Sequence, residues 1–376
     1  MYYYKILSRY IYIYILIMNK EDIKLIGSGW SSAAFVKNID TDKFNVTVIS
    51  LTPDFIYTPL LSHQIITKID TTRKITDLGF VNYVEAQVTD INFEKKKIIC
   101  SNGKEINYEN LILSHGSKVN TFNIEGVNDN CFFLKTSNDA DIIRNKLQSL
   151  PDNSSITVIG CGLTGSEIIG NLIDYNKFTI NAIDGLPKPL TVFDEKIQNY
   201  TENLWKNNGV NIQFNNFVSK VEKDKVSIKN VGSISSDLTI WCGGIRISPL
   251  SRLVNSYLGL ECRFGIPINN YLAIDNFKFN NIYAMGDCSY SLDPPTAQKA
   301  YQQGKYLADC FNNDFKNIKP FEFHNRGQIG YIGKGESVFQ LGKFHSYGKI
   351  TGMFNKFVHL YNSIDYKQFM NFHTLF

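Results

Sequence analysis

From Asp22 onward, short apolar runs alternate with polar, glycine-bearing joints, the rhythm of buried strands separated by turns and helices. Ile23 to Ile26 reads as a buried strand, Gly27-Ser28-Gly29 interrupts it, Ser31 to Ile39 can form a helix, and Val46 to Ser50 returns as a strand. That order predicts a βαβ unit. It recurs as Ile156 to Ile159, then Gly160-Cys161-Gly162-Leu163-Thr164-Gly165, a helix from about Ser166 to Tyr175, and a strand from Thr179 to Asp184. A further apolar run, Ile282 to Met285, ends in Gly286-Asp287. The pattern predicts a doubly wound α/β protein with two Rossmann-like units.

Each glycine turn makes a chemical demand. The first glycine permits a tight strand-to-helix turn, the second lets backbone approach a pyrophosphate, and the third allows close helix packing. The helix start then offers N–H groups and a positive partial charge to phosphates. The second copy is complete, with Gly160, Gly162 and Gly165, and Asp184 ends the next strand where a carboxylate can hold ribose hydroxyls, which is an NADH signature. The first copy has Gly27 and Gly29 but Ser32 in third place, and Ser50 where an acid would stand, so its dinucleotide needs help from elsewhere. One such turn is weak evidence, because glycine turns are common in α/β loops. Two in strand-turn-helix context, followed by a strand ending in Gly286-Asp287, point to a two-dinucleotide flavoprotein with Asp287 on a ribitol hydroxyl.

Composition narrows the class. The 376 residues exceed a usual single core, and 43% hydrophobic with 20% charged residues describe a globular chain. The net charge of +4, from 39 basic and 35 acidic residues, is too small for a nucleic-acid-binding field. Seven scattered cysteines indicate a reducing compartment without a disulfide framework, and six dispersed histidines show no metal-ligand spacing, so no metal is expected. Residues 1–21 carry Lys5, Arg9 and Lys20 before the first acid. They read either as a targeting segment or as an unused extension with translation starting at Met18.

The chain resembles the type II NADH dehydrogenases, single-subunit, non-proton-pumping NADH:quinone oxidoreductases of the pyridine nucleotide-disulfide oxidoreductase superfamily. The likeness runs from about Ile23 to Gly335. It is carried by LIGSGWSSAAFVKNIDTDKFNVTVIS from Leu25, YTPLL at Tyr57 to Leu61, TVIGCGLTGSEIIGNL at Thr157 to Leu172, TIWCGG at Thr239 to Gly244, NNIYAMGDCS at Asn280 to Ser289, and PPTAQKAYQQGKYLA at Pro294 to Ala308. The resemblance implies noncovalent FAD held by Gly27, Gly29 and Trp30 at its pyrophosphate, Thr58 near the isoalloxazine, Val88 beside the adenine and Asp287 on the ribitol. It implies NADH on Gly160, Gly162, Gly165 and Asp184, with Gly243 and Gly244 where backbone passes the nicotinamide. It further implies that Glu167 positions nicotinamide and handles protons, and that Gln298 and Gln302, on one helical face, border a quinone site. On position alone Glu167 would be a helix-dipole carboxylate in a first turn, and the glutamines ordinary exposed side chains.

The expected domains are 22–133 with 269–335 for FAD, 134–268 for NADH, and 336–376 as a short membrane-interface region. In that last region Phe354, Phe357, Val358, Tyr361 and Ile364 recur at helical spacing, a stripe that suits either a membrane surface or the protein body. Attachment would be peripheral, on the mitochondrial inner membrane or the cytoplasmic membrane, with a soluble form and a homodimer left open. Departures from the family pattern fall at Ser32, Leu51-Thr52 and Asn171, where an acid is common. Other readings stand beside the quinone reductase. A disulfide reductase lacks its cysteine pair, since no cysteine occurs between Gly29 and Cys100. A sulfide:quinone oxidoreductase could use Cys131 with a later cysteine. A catalytically weak FAD- and NADH-binding redox sensor would keep both motifs.

Overall fold

The computed structural model describes residues 20–274 and 281–373, so the expectation of a targeting segment lies outside the described residues. The chain divides into two compact units. The first comprises residues 20–55, 73–118, 247–274 and 281–324, and the second 56–72, 119–246 and 325–373.

Each unit is built on a five-stranded parallel sheet. In the first, the spatial order is Ile282–Ala284, Asn110–Leu113, Glu21–Ile26, Phe44–Ser50 and Asn82–Glu85. In the second it is Cys131–Phe132, Leu238–Trp241, Ser155–Ile159, Thr179–Ile183 and Asn211–Gln213. Central strands such as Asn110–Leu113 and Leu238–Trp241 are buried throughout, because helices or loops cover both faces of a parallel sheet. The likeness extends further. Each unit follows its fifth strand with a three-stranded antiparallel sheet, 88–92, 97–100 and 105–107 in the first and 218–221, 225–228 and 232–235 in the second.

The expected domain boundaries differ from these units at five places, each with a packing reason. Residues 56–72 belong to the second unit because Leu61 and Ile65 pack in one core with Ile168 and Leu172, and residues 336–373 belong to it because Val338 packs with Leu190 and Phe193. Residues 119–133 belong to the second unit because Cys131–Phe132 pairs with Leu238–Trp241. Residues 247–268 join the first unit because Leu250, Val254 and Leu258 pack in one core with Ile91, Phe93 and Ile98. Residues 325–335 join the second unit, where Gly170 lets helix Leu163–Tyr175 lie against strand Gln328–Gly333: a Cβ on Gly170 would sit 2.6 Å from the Gly333 nitrogen.

After that strand come Glu336–Leu341 and Phe344–Gly348, completing an antiparallel meander, then helices Lys349–Tyr361 and Tyr366–His373. Among the described residues no helix is long and apolar enough to cross a membrane.

Candidate functional site

In the first unit, strand Glu21–Ile26 ends at Gly27, whose φ of +109° and whose missing Cβ, which would lie 2.3 Å from the Ser114 carbonyl oxygen, admit no other residue without strain. Gly29 is the N-cap of helix Trp30–Asn38, and no side chain caps it. A Cβ built on Gly29 meets nothing within 4 Å, so open space lies beside an uncapped helix start, the cradle a pyrophosphate requires. The departure at Ser32 has a local explanation. Its buried hydroxyl bonds to Ser114 Oγ at 2.8 Å, and close helix packing is supplied by Gly304 of helix Ala297–Asn312, whose Cβ would fall 2.0 Å from the Ser31 carbonyl oxygen. Trp30 is held edge-on to Phe55 with ring centroids 5.0 Å apart.

Asp287 follows the strand Ile282–Ala284 on a 3₁₀ turn and accepts from Ser117 Oγ at 3.3 Å. Val88 opens strand Val88–Asn92 and packs on the first unit's core. Gln302 is committed to backbone: its Nε2 donates to the His324 carbonyl at 2.9 Å and its Oε1 accepts from the His324 nitrogen at 3.0 Å. Gln298 shares its helix, and Thr58 lies exposed on the second unit.

In the second unit the three glycines divide the same labour. Gly160 has φ +95° and would place a Cβ 2.5 Å from the Cys242 carbonyl oxygen, and Gly165 would place one 1.8 Å from the Gly160 carbonyl oxygen. Gly162 again faces open space at an uncapped helix start. Asp184 closes the turn, accepting from the Cys161 nitrogen at 2.6 Å and the Leu186 nitrogen at 2.8 Å. A carboxylate offers about four acceptor sites, so it keeps capacity for ribose hydroxyls. Gly243 lies where a Cβ would strike the Trp241 ring at 2.7 Å, and Gly244 beside it faces open space.

The helix of this second turn begins at Leu163, not near Ser166, because Gly162 already has the extended conformation of an N-cap. Glu167 therefore lies beyond the first turn, which contains no acid, and the helix-dipole reading loses its basis. Glu167 accepts from Ser62 Oγ at 3.1 Å. Desolvation by its surroundings raises its pKa to about 8, against hydrogen bonds from Ser62 and the Tyr331 backbone that pull it down. A carboxyl held this far above the usual carboxylate range is suited to holding a proton near neutral pH. Asn171, one turn on, donates to the Glu167 carbonyl at 2.8 Å and faces His63 Nδ1 at 2.8 Å, so the amide that replaces an acid here joins the same network.

Residues 21–304 match the family model for pyridine nucleotide-disulphide oxidoreductases. The probable NADH dehydrogenase of Dictyostelium discoideum is 31% identical over 89% of this chain and 84% of its own length. The chain belongs to the pyridine nucleotide-disulphide oxidoreductase family, among its type II NADH dehydrogenases. The external NADH-ubiquinone oxidoreductase 2 of Saccharomyces cerevisiae mitochondria is 27% identical over 90% of this chain and 76% of its own. NDH2 of Plasmodium falciparum, solved in complex with NADH, superposes with a TM-score of 0.87 at 25% identity, over 94% of this chain and 97% of that one.

The sulfide-oxidising reading fits this family member less well. Burial pushes the thiols of Cys131 and Cys242 up to about 12, so neither is a ready nucleophile at neutral pH. Cys131→Ser and Cys242→Ser should therefore each retain most NADH:quinone turnover; abolition of activity in either would revive thiol chemistry. Sequence reading also passed over Gln303. It is wholly buried, accepts from the Gly286 nitrogen at 2.8 Å and so braces the turn carrying Asp287, while its Nε2 has no partner among the described residues. Its neighbour Gln302 drew attention through the family motif, and nothing in the local pattern separates an inward from an outward glutamine.

Proposed function

We infer that this chain oxidises NADH and reduces a quinone without pumping protons. The observation that carries the reading is the pair of open, uncapped helix starts, at Gly29 and Gly162, in one chain whose two units each carry a parallel sheet. The first unit would hold FAD noncovalently through Gly27, Gly29, Trp30 and Asp287, and the second NADH through Gly160, Gly162, Gly165 and Asp184. Bound flavin supplies the two-electron relay between nicotinamide and quinone. The protein's share is to fix both dinucleotides by backbone amides and to keep a protonated Glu167 at hand for the quinone. Anaerobic addition of NADH to the purified protein should bleach the flavin absorbance, and a short-chain quinone should restore it. A flavin that NADH cannot bleach would refute the reading in favour of a redox-inert binding protein.

Nucleotide choice should follow Asp184. Its carboxylate repels a 2′-phosphate, and the nearby Lys188 is already paired with Glu202 at 2.7 Å. Asp184→Ser should lower kcat/KM for NADH by roughly 10- to 150-fold, the loss of one charge-assisted hydrogen bond of about 1.5–3 kcal/mol, and narrow the gap to NADPH. Equal efficiency with both nucleotides in the unaltered protein would remove Asp184 from this role.

The reading extends to location. Helix Lys349–Tyr361 buries its small and polar residues, Thr351, Gly352 and Asn355, and exposes Ile350, Met353, Phe354, Phe357 and Tyr361. This inverted arrangement supports peripheral docking at a lipid surface, where a quinone with a long tail resides. Ile364, grouped with this stripe by its spacing, is instead buried, 2% exposed, beyond the helix end.

A further inference from the structure

NADH held through Gly162 and Asp184 leaves its adenine to be placed, and the sheet of the second unit sets the direction. Its pyrophosphate would lie at the carboxyl end of strand Ser155–Ile159, and its adenosine ribose at the end of the neighbouring strand Thr179–Ile183, which Asp184 follows. Base and phosphate leave a ribose from opposite sides of its ring. The adenine therefore continues the same way, toward the end of the next strand, Asn211–Gln213, about 4.8 Å further on. There the chain turns through residues 214–217, and there Phe217 stands 64% exposed.

The backbone holds this phenylalanine beside Asp184. The Asp184 nitrogen donates to the Gln213 carbonyl, the Asn215 nitrogen to the Leu186 carbonyl and the Asn216 nitrogen to the Asp184 carbonyl, each at 3.1 Å. The Phe217 carbonyl accepts from the Lys229 nitrogen at 2.8 Å. Its ring lies against Gly185, where a Cβ would meet Phe217 Cε1 at 2.5 Å. Gly185 does not have a positive φ, so its missing side chain serves the ring and not the backbone. The first unit shows that this frame does not call for an aromatic residue. There Gln87 leads into the antiparallel sheet, and its carbonyl accepts from the Ser101 nitrogen at 2.9 Å, as that of Phe217 accepts from Lys229.

We propose that Phe217 is the platform on which the adenine of NADH stacks, next to the ribose held by Asp184. The proposal deepens the function inferred above and rests on NADH occupying the second unit. An exposed aromatic ring and a purine each present a flat apolar face, and stacking takes both faces out of water without a hydrogen bond to the base. The contact is the same before and during hydride transfer, so it strengthens binding and leaves the chemical step alone.

The test uses the full-length flavin-loaded protein, so that the first unit's site is filled, with ADP-ribose, NADH and reduced nicotinamide mononucleotide as probes. The last carries the nicotinamide without the adenine. Phe217→Ala should weaken ADP-ribose binding in calorimetry by roughly 5- to 150-fold. The apparent Kd for NADH in stopped-flow flavin reduction should rise by the same factor at an unchanged limiting rate, and the reduced mononucleotide should not share the loss. Phe217→Trp should restore the affinity for ADP-ribose, and Gly185→Ala, which pushes the ring aside without removing it, should lower it. Unchanged ADP-ribose affinity in Phe217→Ala would overturn the platform. So would equal weakening of NADH and the mononucleotide, which assigns the ring to the shape of the unit, or Phe217→Leu binding as tightly as the wild type, which leaves no part for stacking. If NADH bleaches the wild-type flavin but ADP-ribose does not bind, the platform falls and the parent reading stands. If ADP-ribose binds in a Phe217-dependent way but NADH cannot bleach the flavin, the platform stands and the parent reading falls.

Discussion

Gly29→Val should fold and yet lose its flavin. The structure separates the two effects because a Cβ at Gly29 meets no atom of the described residues within 4 Å and the residue's φ of −76° suits any side chain. The fold should lose only about 1 kcal/mol from a poorer N-cap. Branched carbons in that space would instead displace the pyrophosphate from the start of helix Trp30–Asn38. Losing two charge-assisted hydrogen bonds of about 1.5–3 kcal/mol each weakens binding by roughly 10²- to 10⁴-fold. The purified variant should be nearly colourless, inactive, and similar to the wild-type apoprotein in thermal melting. Gly27→Val is the contrasting case, since its positive φ alone costs about 1–3 kcal/mol before the clash with Ser114 is counted. If Gly29→Val retains full flavin occupancy, the first unit does not bind FAD at this turn.

The contrast between these glycines explains how much of the site could be read from the chain. Turn glycines carry their meaning locally: a strand, a glycine turn and a helix within a dozen residues state both the geometry and the ligand chemistry, and both βαβ units formed as the periodicity predicted. Close packing is non-local. Gly304 supplies from another helix the space that Ser32 does not, and no spacing rule links the two positions. The surroundings of Glu167 were less legible still. Ser62, Asn171 and Tyr331 come from three separate segments, and the desolvation that raises its pKa arises only after they are assembled. The start of its helix was misplaced for a related reason. Gly165 reads as the end of a loop, whereas its missing side chain serves a close contact inside the first turn.

Periodicity at the carboxyl-terminal end found the helix and left its partner undecided; burial settles which face needs one. Replacing Ile350 and Phe357 together by Asp should detach the protein from liposomes without unfolding it. These side chains are 83% and 64% exposed, so the substitutions remove no core contact. The opposite face, where Gly352 lies against the Gly335 carbonyl and Asn355 reaches Ser337, is left intact, which a truncation of the helix would not achieve. Each large apolar side chain transferred into lipid contributes about 1.5–3 kcal/mol, so losing two weakens partitioning by roughly 10²- to 10⁴-fold. Flotation with liposomes should show the loss directly. Turnover with a quinone embedded in the same liposomes should fall with it, while flavin reduction by NADH and turnover with a water-soluble quinone persist, because neither depends on reaching the bilayer. If the double variant floats as well as the wild type, the exposed face is not the docking surface. If the wild type itself does not float, that face serves a protein partner, and its quinone must be delivered to it in a soluble form.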